Sequence, residues 1–344
     1  MLTYFCFVIF SICISVYIQK KDSKLGLILL ILNVSLLAGF RDVTVGTDTK
    51  YYHSIFNNYF SGGGIYFREA VFMYISRALM KITGTDRIVF LFYAFLTNSL
   101  IFARLWKWRD KCSFSLMTFF YLTLYFPQSL NIMRQYVAAA FIFWAFDLVF
   151  ENKYKRYVLI VLIASCFHTS ALIAFVFLPV HYFMSNRNSI KKLIFLLLLV
   201  ITAIFVTVPL RSIIYEYAGY FENPSLDISI FTLLRTFLFL SFVVLRKSGK
   251  TYAKDDKERF FNDYVSIMYG ISIVTSFLGS FYDQMGRIGL SFSMMGIPFM
   301  TTVVNRNRYK QLYRFAYIVI AIMYIVFQVA IKGEQGIFPF IFTI

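Results

Sequence analysis

The sequence of 344 residues is short of charge, of cysteine and above all of acidic groups. Charged side chains make up 15% of the chain, whereas soluble globular domains carry about 25%. The four cysteines and three histidines show no metal-ligand spacing, and there is no P-loop or glycine-rich dinucleotide motif. These absences exclude a soluble enzyme and a disulfide-stabilised secreted domain, and they argue against direct ATP-driven pumping.

Long apolar runs fill the chain instead, because 59% of its residues are hydrophobic. A helix crosses the hydrocarbon core of a bilayer with about 20 mainly apolar residues. The runs predict an all-α polytopic membrane protein of one domain, residues 1–344, with about ten transmembrane helices. The predicted spans are 2–18, 24–40, 88–106, 114–130, 132–150, 193–209, 229–245, 262–280, 287–304 and 315–331.

The basic residues predict the orientation of these spans. Six short loops hold 23 basic and 6 acidic residues, which accounts for the whole net charge of +17. The positive-inside rule makes them cytoplasmic, and the excess indicates contact with anionic membrane lipids rather than with nucleic acid. The six loops are 19–25, 103–112, 151–157, 185–192, 246–259 and 305–314.

Two segments do not fit a simple span. Residues 157–184 are apolar, but both flanks are cytoplasmic by charge, so we expect a re-entrant or short helical hairpin with Cys166–Ser170 near its tip. Residues 65–82 are only partly apolar, because basic and acidic side chains interrupt the run.

Several arginines lie on the predicted outer side, although the positive-inside rule disfavours basic residues there. Asn131, Arg134 and Gln135 share one helical face at the outer start of a span, where a helix N-terminus also favours an anion. Arg235 lies about 9 Å inside its span by helix rise, which makes it a functional candidate. Arg134 and Arg235 could instead be snorkelling side chains that reach the head groups.

Candidates for a catalytic base lie on the same predicted side. They are Asp48 in the first outer loop, Glu69 at the head of a partly amphipathic stretch, and His168 at the hairpin tip. Tyr51 and Tyr52 follow Asp48 and suit stacking on a sugar. Asp48 and His168 also have a purely structural interpretation. Asp48 would then belong to a solvated loop, and His168 would be a polar residue whose hydrogen bonds are formed within the protein.

Arginines near the membrane surface match the chemistry of a lipid-linked pyrophosphate. Guanidinium groups bind phosphate oxygens bidentately and stay charged, so Arg235 is a candidate pyrophosphate ligand as well. They can stabilise the charge that develops on a leaving pyrophosphate without a metal or other cofactor. A base is still needed to take the proton of an attacking sugar hydroxyl.

An ordered set of short motifs resembles the EpsG family, which comprises Wzy-type polymerases of capsule, exopolysaccharide and O-antigen pathways. The resemblance spans most of the chain, although residues 185–280 offer little to match. Its motifs are Arg41-Asp42, Gly46-Thr47-Asp48, Tyr51, Glu69–Phe72, Asn131, Arg134-Gln135, Ala138, Phe167–Leu172, Arg287 and Phe338–Phe340.

The resemblance implies a GT-C-like glycosyltransferase at the outer face of the bacterial cytoplasmic membrane. It would move a glycan from undecaprenyl pyrophosphate onto the terminal sugar of a lipid-linked repeat unit, working beside a flippase and a chain-length regulator. By this analogy Arg41, Arg134 and Arg287 would hold the diphosphates. Asp48 or His168 would activate the acceptor, and Asn131 and Gln135 would orient the substrate.

Three other functions remain open from the sequence. A lipid-linked oligosaccharide flippase would require a central polar cavity and often contains inverted repeats, and the sequence shows no evident repeat. A membrane O-acyltransferase would want a histidine with an acidic neighbour, and His168 has none in sequence. An O-antigen ligase would usually carry one long outer loop.

Overall fold

The computed structural model describes residues 2–61, 69–185, 228–246, 255–281, 286–287, 289–306 and 309–342. Helices dominate all of these ranges, and the described part contains no strand beyond an isolated bridge between Arg41 and Phe342. The all-α prediction is therefore confirmed for the described residues. The predicted span 193–209 and the loop 186–192 lie outside them.

The described residues up to 150 form eight α-helices, of which the sixth and seventh are joined by a π-helical turn at Tyr121–Tyr125. The third helix was not predicted, because its polar and aromatic residues do not form an apolar run. The helices are Leu2–Lys21 (α1), Lys24–Gly39 (α2), Thr49–Phe60 (α3), Ala70–Thr83 (α4), Asp86–Lys107 (α5), Phe114–Phe120 (α6), Phe126–Ser129 (α7) and Met133–Phe150 (α8).

The hairpin follows α8 along the chain. Its arms are Tyr154–Ser165 (α9) and a 3-10 helix, Thr169–Val176, that continues into Phe177–Ser185 (α10). The hydroxyl of Tyr157 donates to the carbonyl of Ala174 at 2.9 Å, which joins the two arms. The remaining described elements are Ile230–Arg246 (α11), Asp256–Gly279 (α12), Leu290–Ser293 (α13), Gly296–Arg306 (α14), Lys310–Met323 (α15) and a π-helical segment, Tyr324–Ile331.

The predicted span 287–304 is divided in the structure, because residues 294–295 separate α13 from α14. The hydroxyl of Tyr125 donates to the carbonyl of Ser293 at 2.8 Å. The N–H of Ile297, which would bond to that carbonyl in a regular α-helix, donates to Met294 instead. A side chain from another element thus occupies the acceptor, and the helix breaks between α13 and α14.

Four described helices are long and apolar enough to cross a membrane, and they are α1, α5, α8 and α15 with its π-helical extension to Ile331. Shorter apolar helices are also present, at Lys24–Gly39, Thr169–Ser185, Ile230–Val244 and Leu290–Asn305. The chain is therefore a helical membrane protein by length and composition. The count of about ten spans and the GT-C-like arrangement stay predictions.

Close helix contacts hold the bundle together. A Cβ at Gly39 of α2 would lie 2.8 Å from the Cα of Leu91, so the backbones of α2 and α5 approach more closely than a side chain would permit. Ala138, Ala139 and Ala140 of α8 are buried in the same way. These small residues let α2, α5 and α8 form the core that positions the loops.

Three of the predicted cytoplasmic loops meet at one end of the bundle, which we call the basic end. Asp22 pairs with Arg109 at 2.6 Å, and Lys107 pairs with Glu151 at 3.0 Å. Deeper in the same region, the carboxylate of Asp147 accepts from Arg104 and from the indole of Trp108. One end of each of the helices α2, α8 and α9 lies here. These helices have 16, 18 and 12 residues, so their far ends lie roughly 17 to 26 Å away by helix rise.

Candidate functional site

An ion pair occupies the far end of α8. Arg134, in the first turn of the helix, donates to the carboxylate of Glu69 at 2.6 Å. Glu69 immediately precedes α4 and is 8% exposed, while Arg134 is 21% exposed. A charge-assisted bond between largely buried groups is short and strong, and each partner depends on the other for compensation. Sequence positions 65 residues apart thus meet in one site.

His168 lies in the turn of the hairpin, between α9 and the 3-10 helix. Its Nδ1 accepts the backbone N–H of Ser170 at 3.2 Å and lies 2.7 Å from the Ser170 hydroxyl. Burial lowers the pKa of His168 to about 4, with Glu69 acting to raise it and Arg134 and Arg287 acting to lower it. The ring is therefore neutral near pH 7. Because Nδ1 is an acceptor, Nε2 carries the proton.

Gln135 connects the hairpin to the segment 286–287. Its amide nitrogen donates to the backbone carbonyl of Arg287 at 2.5 Å and to the Ser170 hydroxyl at 3.3 Å. The side chain of Arg287 is exposed. We call the whole group the arginine–histidine cluster, and its members are Glu69, Arg134, Gln135, His168, Ser170 and Arg287.

Two predicted site residues are engaged in holding loops instead. Three nitrogens of buried Arg41 donate to the carbonyls of Ala38 and Leu130 and to the Thr49 hydroxyl, and its guanidinium lies 4.7 Å from the centre of the Phe90 ring. These contacts direct the guanidinium of Arg41 into the protein, and its binding of a diphosphate stays a prediction.

Asn131, the second of these residues, lies beside the start of α8. It is buried, and its amide nitrogen donates to the backbone and side-chain oxygens of Gln335 at 2.9 and 2.8 Å. Its amide oxygen would lie 2.6 Å from a Cβ at Gly46, whose backbone has the positive φ of +98° that favours glycine. Asn131 therefore fixes the first loop against the C-terminal segment.

Both predicted sugar-stacking residues lie at the start of α3, and Asp48 directly precedes that helix. Tyr52 is buried, and its hydroxyl is 3.5 Å from the Nε of Arg134, so it borders the arginine–histidine cluster. Tyr51 is exposed, with its ring centre 6.1 Å from that of Tyr52. Asp48 is half-buried and accepts from the hydroxyl of Thr47 at 3.1 Å. Tyr51 is thus the exposed residue of these three.

A cavity of about 540 Å³ lies beside the cluster. Arg287 lines it and belongs to the cluster through its backbone, and Arg235 of α11 lines it from another side. Tyrosine side chains from four other elements complete much of the wall, so we call it the tyrosine cavity. Those tyrosines are Tyr125, Tyr269, Tyr317 and Tyr324.

Comparison with protein-family models matches residues 24–342 to the model described as the EpsG family. The match covers nearly the whole chain. The chain belongs to the EpsG family. Comparison with curated proteins and with solved structures gave no match for either. Family membership makes this a membrane protein of polysaccharide biosynthesis, of a polymerase type.

The EpsG-family motifs do not coincide with all the residues that shape the site. Tyr125 and Tyr269 line the tyrosine cavity, yet neither was among the predicted site residues. Aromatic residues make up 20% of the chain, so two more tyrosines in apolar segments carry no distinguishing signal. The feature that distinguishes Tyr125 is its place in a π-helical turn, and the sequence pattern does not predict that turn.

Proposed function

We propose that this EpsG-family protein is a Wzy-type polysaccharide polymerase. It would transfer a growing glycan from undecaprenyl pyrophosphate onto the terminal sugar of a lipid-linked repeat unit. The observation that supports this most is the meeting of Glu69, Arg134, His168 and Arg287, from four separate segments, at the end of the bundle opposite the basic end. By the positive-inside rule that end faces away from the cytoplasm.

The cluster supplies the groups that glycosyl transfer from a diphosphate requires. The acceptor hydroxyl oxygen bonds to the anomeric carbon while the bond between that carbon and the diphosphate breaks. Negative charge develops on the diphosphate, where Arg134 and Arg287 provide cationic donors. His168 adds a neutral Nε2–H donor, which suits an oxygen of the sugar or phosphate.

Glu69 is the base that this geometry favours. The Nδ1 of His168 is occupied by Ser170 and its Nε2 is protonated, so His168 has no open acceptor nitrogen. Glu69 carries a carboxylate beside Arg134, the arginine proposed to bind the leaving group. When Arg134 turns to the diphosphate, the carboxylate of Glu69 would be released to accept the proton of the acceptor hydroxyl. Asp48 remains the alternative base among the predicted residues.

The substrates of this proposal are both amphiphilic. Each would keep its polyprenyl tail in the bilayer and its diphosphate at the outer surface of the bacterial cytoplasmic membrane. A flippase would deliver the repeat units, and a chain-length regulator would be the other expected partner. No metal or other cofactor is required, because fixed cationic groups carry the charge of the leaving group.

A deletion strain tests the function. We expect single lipid-linked repeats on the outer face of the membrane and the loss of long chains. Repeats that accumulate facing the cytoplasm would indicate the transporter instead. A strain that keeps its long polymer would rule out the polymerase.

A purified system tests the site. A defined lipid-linked repeat should be extended by the wild type with or without a chelator, whereas Glu69→Gln should lose chain growth. Asp22→Asn is a matched control, because Asp22 also pairs with an arginine at 2.6 Å, but at the basic end. Equal activity of Glu69→Gln and Asp22→Asn would remove Glu69 from the mechanism.

A further inference from the structure

Three irregular elements converge on the tyrosine cavity. Tyr125 ends the π-helical turn 121–125, Tyr324 begins the π-helical segment 324–331, and Ser293 lies at the break between α13 and α14. Local π-helical geometry inside α-helices is rare and occurs often at functional sites. Three departures from regular helix around one cavity indicate that its shape matters for more than packing.

Arg235 brings an uncompensated guanidinium group to this cavity. Its Nε donates to the hydroxyl of Tyr269 at 3.3 Å, and its Nη2 is buried without a hydrogen-bond partner. Glu334 also lines the cavity, but among the residues that the structure describes neither it nor any other carboxylate forms an ion pair with Arg235. Arg134 and Arg104, by contrast, pair with Glu69 and Asp147. A half-buried guanidinium with one buried nitrogen unsatisfied is costly, so a ligand that supplies an oxyanion would gain from binding there.

Tyr269 supplies a second donor at the same place. Its hydroxyl oxygen accepts the Nε–H of Arg235, which leaves the hydroxyl hydrogen able to donate to another oxygen. Its ring also lies 5.6 Å from the guanidinium carbon, which fixes the two side chains relative to each other. Arg235 Nη2 and the Tyr269 hydroxyl thus form a pair of neighbouring donors on the cavity wall.

The cavity also adjoins the proposed reaction site. Arg287 lines the cavity, while its backbone carbonyl accepts from Gln135 of the arginine–histidine cluster. Gln335 lines the cavity as well and bonds to Asn131 beside the same helix end. The volume of about 540 Å³ falls in the usual range for ligand sites, roughly 300–1,000 Å³.

We propose that the tyrosine cavity binds an oxyanion of a second lipid-linked substrate, with Arg235 and Tyr269 as its donors. This site is separate from the arginine–histidine cluster, and the two substrates would meet at the wall formed by Arg287. The identity of the ligand as a lipid-linked substrate rests on the proposed function. The oxyanion is either the diphosphate of the lipid or the carboxylate of an acidic sugar.

Native mass spectrometry of the full chain in detergent can count the bound anions. With undecaprenyl diphosphate as the probe, we expect two molecules on the wild type and one on Arg235→Gln. Tyr269→Phe should weaken the same binding event about tenfold, as expected for the loss of a hydrogen bond to a charged group. Glucuronate is the second probe, because it carries the carboxylate of an acidic sugar. The proposal would be overturned if Arg235→Gln bound as many molecules of undecaprenyl diphosphate as the wild type and also bound glucuronate equally well.

Matched controls separate the charge from the fold. Arg109→Gln removes an arginine at the basic end, and Tyr313→Phe removes a hydroxyl that bonds to Ser241 of α11 at 3.1 Å without lining the cavity. Both controls should bind like the wild type. If Arg235→Gln loses only glucuronate binding, the oxyanion comes from an acidic sugar; if it loses only undecaprenyl diphosphate, it comes from the lipid.

A glycine provides a second perturbation that changes no charge. A Cβ at Gly296 would lie 2.6 Å from Cε2 of Tyr269 and would also collide with the hydroxyl of Tyr125. Gly296→Ala should therefore displace both tyrosines and weaken the same binding event. Unchanged binding in a folded Gly296→Ala protein would refute the role of this wall. These assays measure binding without turnover. They can therefore refute the cavity as a binding site while the deletion strain still supports the polymerase, and they can support the cavity while the deletion strain rules out the polymerase.

Discussion

The ion pair between Glu69 and Arg134 permits a quantitative test of the site. The perturbations are Glu69→Gln, Arg134→Gln and the double variant. Each single change leaves one charge of the pair without its partner, while the double change removes both. Because Glu69 is 8% exposed and Arg134 is 21% exposed, the two single variants should differ in stability.

Removal of one partner from a fully buried pair costs about 3–5 kcal/mol, whereas an exposed pair contributes roughly 0.2–1 kcal/mol. Arg134→Gln leaves the more deeply buried carboxylate alone, so we expect the low end of the buried range, about 3 kcal/mol. Glu69→Gln should cost less, since the guanidinium is partly solvated and keeps its contact with Tyr52. The double variant should recover part of the loss.

Denaturant titration of the four proteins in one detergent measures these free energies of unfolding. The expected order of stability is wild type, Glu69→Gln, the double variant and then Arg134→Gln. If Arg134→Gln costs under about 0.5 kcal/mol, the pair behaves as a solvent-exposed contact and the buried site is refuted. Polymer length is measured in parallel, because chain growth should be lost in all three variants whatever their stability.

Three further predictions concern neighbouring residues. Because the pKa of His168 is about 4 when folded and about 6.5 when unfolded, its contribution to stability is lost as the pH falls from about 6.5 to 4. The melting temperature of His168→Gln should therefore fall less over that interval, and equal falls would contradict the assignment. Arg134→Lys should shorten the polymer, since a point charge lacks the guanidinium fork, and wild-type chain length would contradict this. Gly46→Ala should destabilise the protein by about 1–3 kcal/mol in thermal unfolding, because a Cβ would meet Asn131 at a φ of +98°; an unchanged melting temperature would argue against this loop geometry.

The apolar runs predicted most described helices, because each burial stripe or span is a local property of 15 to 25 consecutive residues. They could not predict the break after Ser293, which depends on a hydroxyl 168 residues away. They also missed α3, since its alternation of polar and aromatic residues, Thr49–Phe60, does not form an apolar run.

The candidate site was predictable in part. Charge and orientation were sufficient to select Glu69, Arg134, His168 and Arg287 for one side, and the structure brings them together. The roles of individual groups needed contacts that no spacing reveals. Arg41 has the same charge as Arg134 but donates to backbone carbonyls, and His168 has its acceptor nitrogen occupied by a residue two positions away.

The hydrogen bond between Asn131 and Gln335 joins residues 204 positions apart in the sequence. The N–H of Gly46 likewise donates to the carbonyl of Gly336, near the end of the chain. During synthesis, the early loop can settle only after that distant stretch has been translated and inserted. Contacts of such large sequence separation form late, because the intervening chain must first be confined. A nascent polypeptide halted before residue 335 would therefore lack the contacts that hold the first loop and the start of α8 to the C-terminal segment.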